Sequence, residues 1–330
     1  MAASWLRSSQ YLHWQLSYTD LRRLRGRDLA LLEPWEYKVV QIHLFGALRE
    51  LAIRLQLRQQ PIATAMVYML RFYTRASLVE TDPYIVIAAC LYLACKVEEC
   101  PQHIRTIAQE CQKCWANSQS NVSKWQDGKA AGDAERIAEM EFYLIDEMET
   151  RLIVHHPYRV VDTVAQRIKL PGALHEHARM WCNEAYGCDI PLLFSPVVLA
   201  FAALCMAVCT DLGRIKDSKV APDFGAAEQD AAMREIIKFM SEPSNGIRTP
   251  DVISCNQMLI THHHVDKAIA FGTAPIPPTD AIPSPLTGDW SARALLKRMQ
   301  GEEMARIRKE TLPNNLLNLA RPSTRQQQSR

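Results

Sequence analysis

Residues 82–99 read Asp82-Pro83-Tyr84-Ile85-Val86-Ile87-Ala88-Ala89-Cys90-Leu91-Tyr92-Leu93-Ala94-Cys95-Lys96-Val97-Glu98-Glu99. Asp82 followed by Pro83 is a helix start: the carboxylate caps a free amide, and proline stands where a missing N–H costs nothing. From Pro83 to Cys95 no face of the helix is polar, so other helices must enclose it. Ala88, Ala89, Cys90, Ala94 and Cys95 are small enough to let those neighbours approach closely. The apolar run stops at Lys96, with two acids close behind. A central helix whose last turn emerges charged is expected to present a docking surface there.

Outward from this stretch, Pro34, Pro61, Pro83 and Pro101 each open an apolar-periodic segment, proline being favoured at the first helical position. The spacing predicts helices over about Pro34–Leu55 (Val40, Leu44, Leu48, Leu51 and Leu55 inward), Pro61–Arg75 (Ile62, Met66, Met69 and Phe72 inward) and Pro83–Glu98. A fourth starts near Pro101, and a fifth covers Asp133–Met148 on Ile137, Met140, Leu144 and Met148. The polar, glycine-bearing stretch from Gln112 to Gly132 reads as a surface loop. The pattern then restarts. Pro171 opens a helix, and Ser195-Pro196 opens another apolar one through Cys209. Laying Pro83 on Pro196 also lays Ala89 on Ala202, Leu91 on Leu204 and Ala94 on Ala207. Two helical domains of about five helices each follow. The charged end belongs to the first alone, since Cys209, Thr210 and Asp211 stand where it has Lys96, Val97 and Glu98. The expected division is an N-terminal helix in 1–30, a first bundle in 31–152, a second in 153–240 and a tail in 241–330. Seven prolines between Pro243 and Pro285 mark 241–288 as largely disordered linker, before a short amphipathic helix from about Asp289 to Lys309 and a polar end.

A chain of 330 residues has room for about two domains. Its net charge of +2 is uneven: residues 241–330 hold eleven Lys/Arg against eight Asp/Glu (+3), leaving the body near −1. Such a body is not aimed at phosphate, and direct nucleic-acid binding is not expected. The helix from Pro83 to Cys95 spans only about 20 Å, too short for a bilayer, and the first residues lack the apolar core of a signal peptide. Neither membrane nor secretion is expected. The ten cysteines fall mostly inside apolar helices and read as buried thiols of a reducing, nuclear or cytosolic compartment. Cys111-x-x-Cys114 has ligand spacing without a second pair, and His262-His263-His264 reads as a polar tract, so no metal or cofactor is expected. No nucleophile–base pair or glycine-rich phosphate loop stands out, so no catalytic residue is assigned.

The all-α layout of tandem five-helix bundles, with Leu93-Ala94-Cys95-Lys96-Val97-Glu98-Glu99 closing helix three and Met140-Glu141-Phe142 in helix five, resembles the cyclins. Further motifs are similar to the C-type branch: Leu57-Arg58-Gln59-Gln60, Arg71-Phe72-Tyr73-Thr74-Arg75, Leu152-Ile153-Val154-His155-His156-Pro157-Tyr158-Arg159, and Trp5-x-x-Ser8-Ser9-x-Tyr11-Leu12-x-Trp14. The likeness covers about residues 4–240. It implies two cyclin boxes and a nuclear, non-catalytic subunit that activates the cyclin-dependent kinase of the Mediator complex in RNA polymerase II transcription. Other subunits of that kinase module are implied as partners.

In cyclins a lysine ending helix three and a glutamate in helix five grip the kinase's regulatory helix; the matching residues are Lys96 and Glu141. Glu99 and Leu152 are assigned to the same kinase-facing surface, and Trp5 and Asp189 to a groove for another Mediator subunit. From spacing alone Lys96 is equally a solvated helix end suited to the macrodipole, Glu141 an exposed-face glutamate, and Trp5 a cap on the first bundle. Helix one lacks the Met-Arg-x-x-Leu…Trp docking patch of cell-cycle cyclins, so substrate docking is not carried over. The alternatives are an elongation-type transcriptional cyclin, or a DNA-bound general transcription factor of the IIB type. The latter would want a basic DNA-facing surface and a zinc ribbon.

Overall fold

A computed structural model of the chain describes residues 5–115, 132–214, 226–241, 247–270, 294–303 and 305–306. A 3-10 turn at Trp5–Arg7 leads into three short helices, α1 (Ser9–Trp14), α2 (Tyr18–Leu24) and α3 (Gly26–Leu29). The first bundle follows as α4 (Pro34–Arg54), α5 (Gln59–Phe72), α6 (Pro83–Val97), α7 (Ile104–Trp115) and α8 (Ala134–Glu147). The second comprises α9 (Tyr158–Arg167), α10 (Gly172–Ala185), the one-turn α11 (Ile190–Leu193), α12 (Pro196–Arg214), α13 (Ala226–Met240) and α14 (Thr249–Ala270). Among the described residues there is no β-strand.

The helix starts obey the expected chemistry. Asp82 Oδ1 accepts the amide of Tyr84 at 3.0 Å, and Asp133 caps α8 through the amide of Glu135. Glu33 and Glu36 form a reciprocal capping box at α4, satisfying two donors that no helix can satisfy internally. The helix ends are less conventional. Gln56, Glu99, Glu149 and Lys169 all have φ between 51 and 55°. Each follows the cap residue of its helix, and the amide after it returns to a carbonyl five residues back: Leu57 to Ala52, Cys100 to Cys95, Thr150 to Ile145 and Leu170 to Ala165. These are Schellman stops, in which glycine is the usual residue.

Helix α6 lies at the centre of the first bundle, against α4, α5, α7 and α8. Val86 through Leu91, Ala94 and Cys95 have no exposed surface at all. The predicted inward residues of α4 and α5 are buried. Helix α12 takes the equivalent place in the second bundle, against α9, α10, α13 and α14, with Ala200, Ala202, Ala203, Leu204 and Ala207 fully buried. The halves meet where α14 touches α4 and α11 touches α5. Between them, segment 151–156 is fastened by side chains. Tyr68 Oη donates to the Leu152 carbonyl (2.6 Å), Arg71 Nη1 to the Arg151 carbonyl (2.9 Å), and the His155 amide to Gln10 Oε1 (2.6 Å).

One expectation is corrected. Thr249–Ala270 is not linker but a helix, burying Val252, Cys255 and Leu259 to 2% exposure or less. Pro250 stands in its first turn, where proline is tolerated, and the three apolar residues fall on one face. Setting aside the one-turn α11, helix α14 is therefore the fifth helix of the second bundle, which extends past the expected boundary at 240. Part of the helix expected from Asp289 is present over 294–303. Of the Gln112–Gly132 loop, Gln112–Trp115 belong to α7, and 116–131 lie outside the described residues, as do 271–293 and 307–330. No helix among the described residues is long and apolar enough to cross a membrane.

If α14 completes the core, Leu259→Ala should lower unfolding free energy by about 2–5 kcal/mol, the range for a buried leucine. A chain ending at Met240 should lose its cooperative thermal transition. A change within about 0.5 kcal/mol for Leu259→Ala, as at a surface site, would return the segment to the status of linker.

Candidate functional site

The last turn of α6 and the middle of α8 meet in one charged pair. On α8 the inward stripe is Ile137, Glu141, Leu144 and Met148, each at most 7% exposed. Glu141 thus occupies a core position that spacing assigned to the neighbouring Met140. Lys96 Nζ donates to both of its oxygens, at 2.7 and 2.9 Å, and sits 4.1 Å from the centre of the Tyr92 ring. The Lys96 side chain is 42% exposed and that of Glu141 10%. A shielded carboxylate therefore fixes a lysine whose head still reaches solvent. Desolvation works against the Lys96 charge, but the bonds and charges of Glu141 and Tyr92 outweigh it and raise its pKa.

Beside this pair the next carboxylate faces inward. Glu98 accepts from Thr64 Oγ1 (2.5 Å) and Gln60 Nε2 (2.6 Å). His156 Nε2 lies 2.8 Å from Thr64 Oγ1 and 3.8 Å from Glu98, and its Nδ1 lies 2.5 Å from Tyr186 Oη. Desolvation opposes ionisation of Glu98, yet the nearby His156 and the hydrogen bonds from Thr64 and Gln60 carry its pKa below the usual value. The network ties the end of α6 to α5 and to the second bundle. Glu99, one residue on, is exposed in the left-handed region with φ 55°. Leu152 is partly buried against the core, its carbonyl held by Tyr68.

Trp5 and Asp189 each make their own contacts. Trp5 packs its ring on Tyr11, centroids 4.7 Å apart. Asp189, before α11, accepts from Arg25 Nη1 (2.5 Å) and Gln41 Nε2 (2.8 Å), joining the N-terminal helices, α4 and the second bundle. Burial disfavours its charge, but Arg25 and Gln41 prevail and lower its pKa. It lines a groove of about 530 Å³ between the bundles with Leu16, Lys38, Gln41, Met258 and His262; Trp5 is not among the lining residues.

Sequence reasoning missed Glu98, His156 and Arg71. Arg71 is fully buried, its guanidinium 5.2 Å from the Trp14 ring with Nε and Nη2 unpartnered. Burial lowers its pKa to about 10. All three lie in or beside the quoted motifs, but nothing in their spacing shows that α5, α6 and segment 151–156 converge.

Two enclosed helical bundles in tandem, with a lysine and a glutamate joined where the first opens, form the architecture of a cyclin. The cyclin N-terminal domain family matches residues 38–153, the span of the first bundle. The RNA polymerase II holoenzyme cyclin-like subunit of Aspergillus oryzae is 32% identical over 292 residues, 80% of this chain and 92% of that one. The protein of the same name from Chaetomium globosum is 39% identical over 215 residues, 63% of this chain and 56% of that one. The chain therefore belongs to the cyclin family, among the RNA polymerase II holoenzyme cyclin-like subunits. Among solved structures, a chain of the CAK complex of Chaetomium thermophilum has a TM-score of 0.59 at 19% identity, covering 98% of this chain and 97% of that one. A chain of the yeast TFIIK complex has 0.52 at 17% identity, covering 77% and 98%. At such identities they attest the fold alone.

The unequal exposure of the pair predicts an unequal response. Lys96→Ala leaves a shielded carboxylate without its partner and should cost about 1–3 kcal/mol of folding stability. Glu141→Leu lets Lys96 turn to water and should cost less; equal losses in chemical denaturation would contradict this. His155 adds a pH dependence. Burial, then His156 and Arg71, lower its pKa, whereas the unfolded chain takes up that proton near pH 6.5. Its contribution to stability is whole above that pH and lost as pH falls toward the folded value. His155→Gln should shrink the loss of stability measured between pH 7 and 5.

Proposed function

We propose that the chain is a non-catalytic regulatory subunit that binds and activates the cyclin-dependent kinase of the Mediator complex. There it acts in the nucleus on RNA polymerase II transcription, including phosphorylation of the polymerase's C-terminal domain. The observation that carries this reading is the half-exposed Lys96 held by the shielded Glu141, at the position where the family likeness sets the kinase contact. Lys96 donates to both oxygens of Glu141, and its exposed head can turn toward carbonyls left open at the end of a partner helix. Glu141 orients that donor, Glu99 offers an exposed carboxylate to a cation of the partner, and Leu152 adds apolar surface at the rim. The names of the relatives, which refer to the polymerase II holoenzyme, support the transcriptional assignment. A kinase helix positioned in this way would bring its glutamate to the lysine that orients ATP, so the chain supplies geometry rather than chemistry.

For the groove at Asp189 we propose a second subunit of the Mediator kinase module. Trp5, on the N-terminal turn, is proposed as a further contact for that subunit.

Purification of the chain from nuclear extract should bring down a Mediator-type cyclin-dependent kinase. The isolated chain should transfer no phosphate. Lys96→Ala and Glu141→Ala should each weaken kinase binding by about 2–5 kcal/mol, mainly by faster dissociation. The double variant should lose less than the sum if they serve one surface. Cys209→Ala, at the equivalent place in the second box, should leave affinity unchanged. A folded Lys96→Ala chain that binds as tightly as the parent would remove Lys96 from the site.

A further inference from the structure

Helix 294–303 returns to the first turn of α4. Leu295, Leu296, Met299 and Gln300 are buried at 9% exposure or less, whereas Lys297, Gly301 and Glu302 are exposed. That is one helical face turned inward. From the same helix Arg298 donates through Nη1 to Glu36 Oε1 (2.9 Å) and through Nη2 to Oε2 (2.5 Å). Two guanidinium nitrogens in a rigid plane match the two carboxylate oxygens, a fork that a lysine's single nitrogen does not supply.

The receiving side is built in advance. Glu36 is 6% exposed, and its Oε2 already accepts the Glu33 amide at 2.9 Å in the capping box of α4. Its carboxylate is thus presented in a fixed orientation, and little freedom is lost when a guanidinium arrives. The incoming helix is too short to hold its shape alone in water. Its order comes from the surface it covers.

We propose that the first turn of α4 and the apolar floor beside it form a docking surface for an amphipathic helix, and that residues 294–303 occupy it in cis as a displaceable clasp. The occupant carries two adjacent leucines, then arginine and methionine, in the pattern Leu295-Leu296-x-Arg298-Met299. The clasp can be released because the Arg298 head is 42% exposed, leaving the ion pair open to water and salt. Its hold rests on being tethered to the same chain, which raises its local concentration without adding contacts. A partner helix with the same order of apolar residues and arginine would compete with it for the surface. The inference is independent of which kinase the chain binds.

A fluorescent peptide spanning residues 290–306 tests it against the full-length chain. Leu295→Asp with Met299→Asp should vacate the surface, so that the peptide binds this variant at least about tenfold more tightly than the parent. That factor corresponds to about 1.4 kcal/mol. Adding Glu36→Gln, which keeps a capping side chain but removes the charge, should cost that peptide affinity again. Equal affinity for parent and vacated chain, or no binding to a vacated chain with native circular dichroism, would overturn the proposal. Arg298→Glu in the full-length chain supplies a second reading. Amides of 294–303 should lose hydrogen-exchange protection while those of α6 keep theirs; retained protection at 294–303 would equally overturn it.

Discussion

A helix that is apolar on every side has no stable position at a surface, and α6 is such a helix. Its enclosure draws α4, α5, α7 and α8 around it. Alanines and cysteines along its length set how closely they come. Enclosure cannot continue through Lys96, whose charge needs water or a partner. The bundle accordingly opens where α6 leaves it, and α8 places a carboxylate in its own core stripe at that opening. The second bundle repeats the enclosure around α12 but ends it in Cys209, which is exposed and carries no charge.

Much of this was legible because proline and aspartate write helix starts into the sequence. Pro34, Pro83 and Pro196 stand at the first positions of their helices, and Asp82 and Asp133 cap as their chemistry predicts. Helix α14 was missed although Pro250, Val252, Cys255 and Leu259 carry the same signal. Neighbouring prolines and three consecutive histidines outweighed it in a reading by composition. In the fold His263 packs against Trp181, with ring centroids 5.1 Å apart, so the tract is partly core. Helix ends were read less well, because the residue that normally announces them is missing.

The candidate site shows the same division. Both charged residues follow from family likeness, and Lys96 also from the abrupt end of the apolar run. That they bind each other does not follow, since a separation of 45 residues carries no register. Neither the ring contact of Trp5 at the N-terminus nor the ion pair of Asp189 beneath a groove is written in local spacing. The inward turn of Glu98 was equally hidden. Two adjacent glutamates look alike in sequence, and only the meeting of α5, α6 and segment 151–156 sends one into the protein and leaves the other outside.

The four glycine-free helix stops place the chain below its attainable stability. Each holds an L-residue in the left-handed region, at roughly 1–2 kcal/mol relative to its preferred backbone, part of which glycine would return to the unfolded chain as entropy. At Gln56 and Lys169, both exposed, glycine would relax the turn with little else changed. At Glu99 the same relaxation would delete a carboxylate from the mouth of the proposed kinase surface. Residue choice at that turn is thus a contest between backbone ease and surface charge, and the chain resolves it in favour of charge.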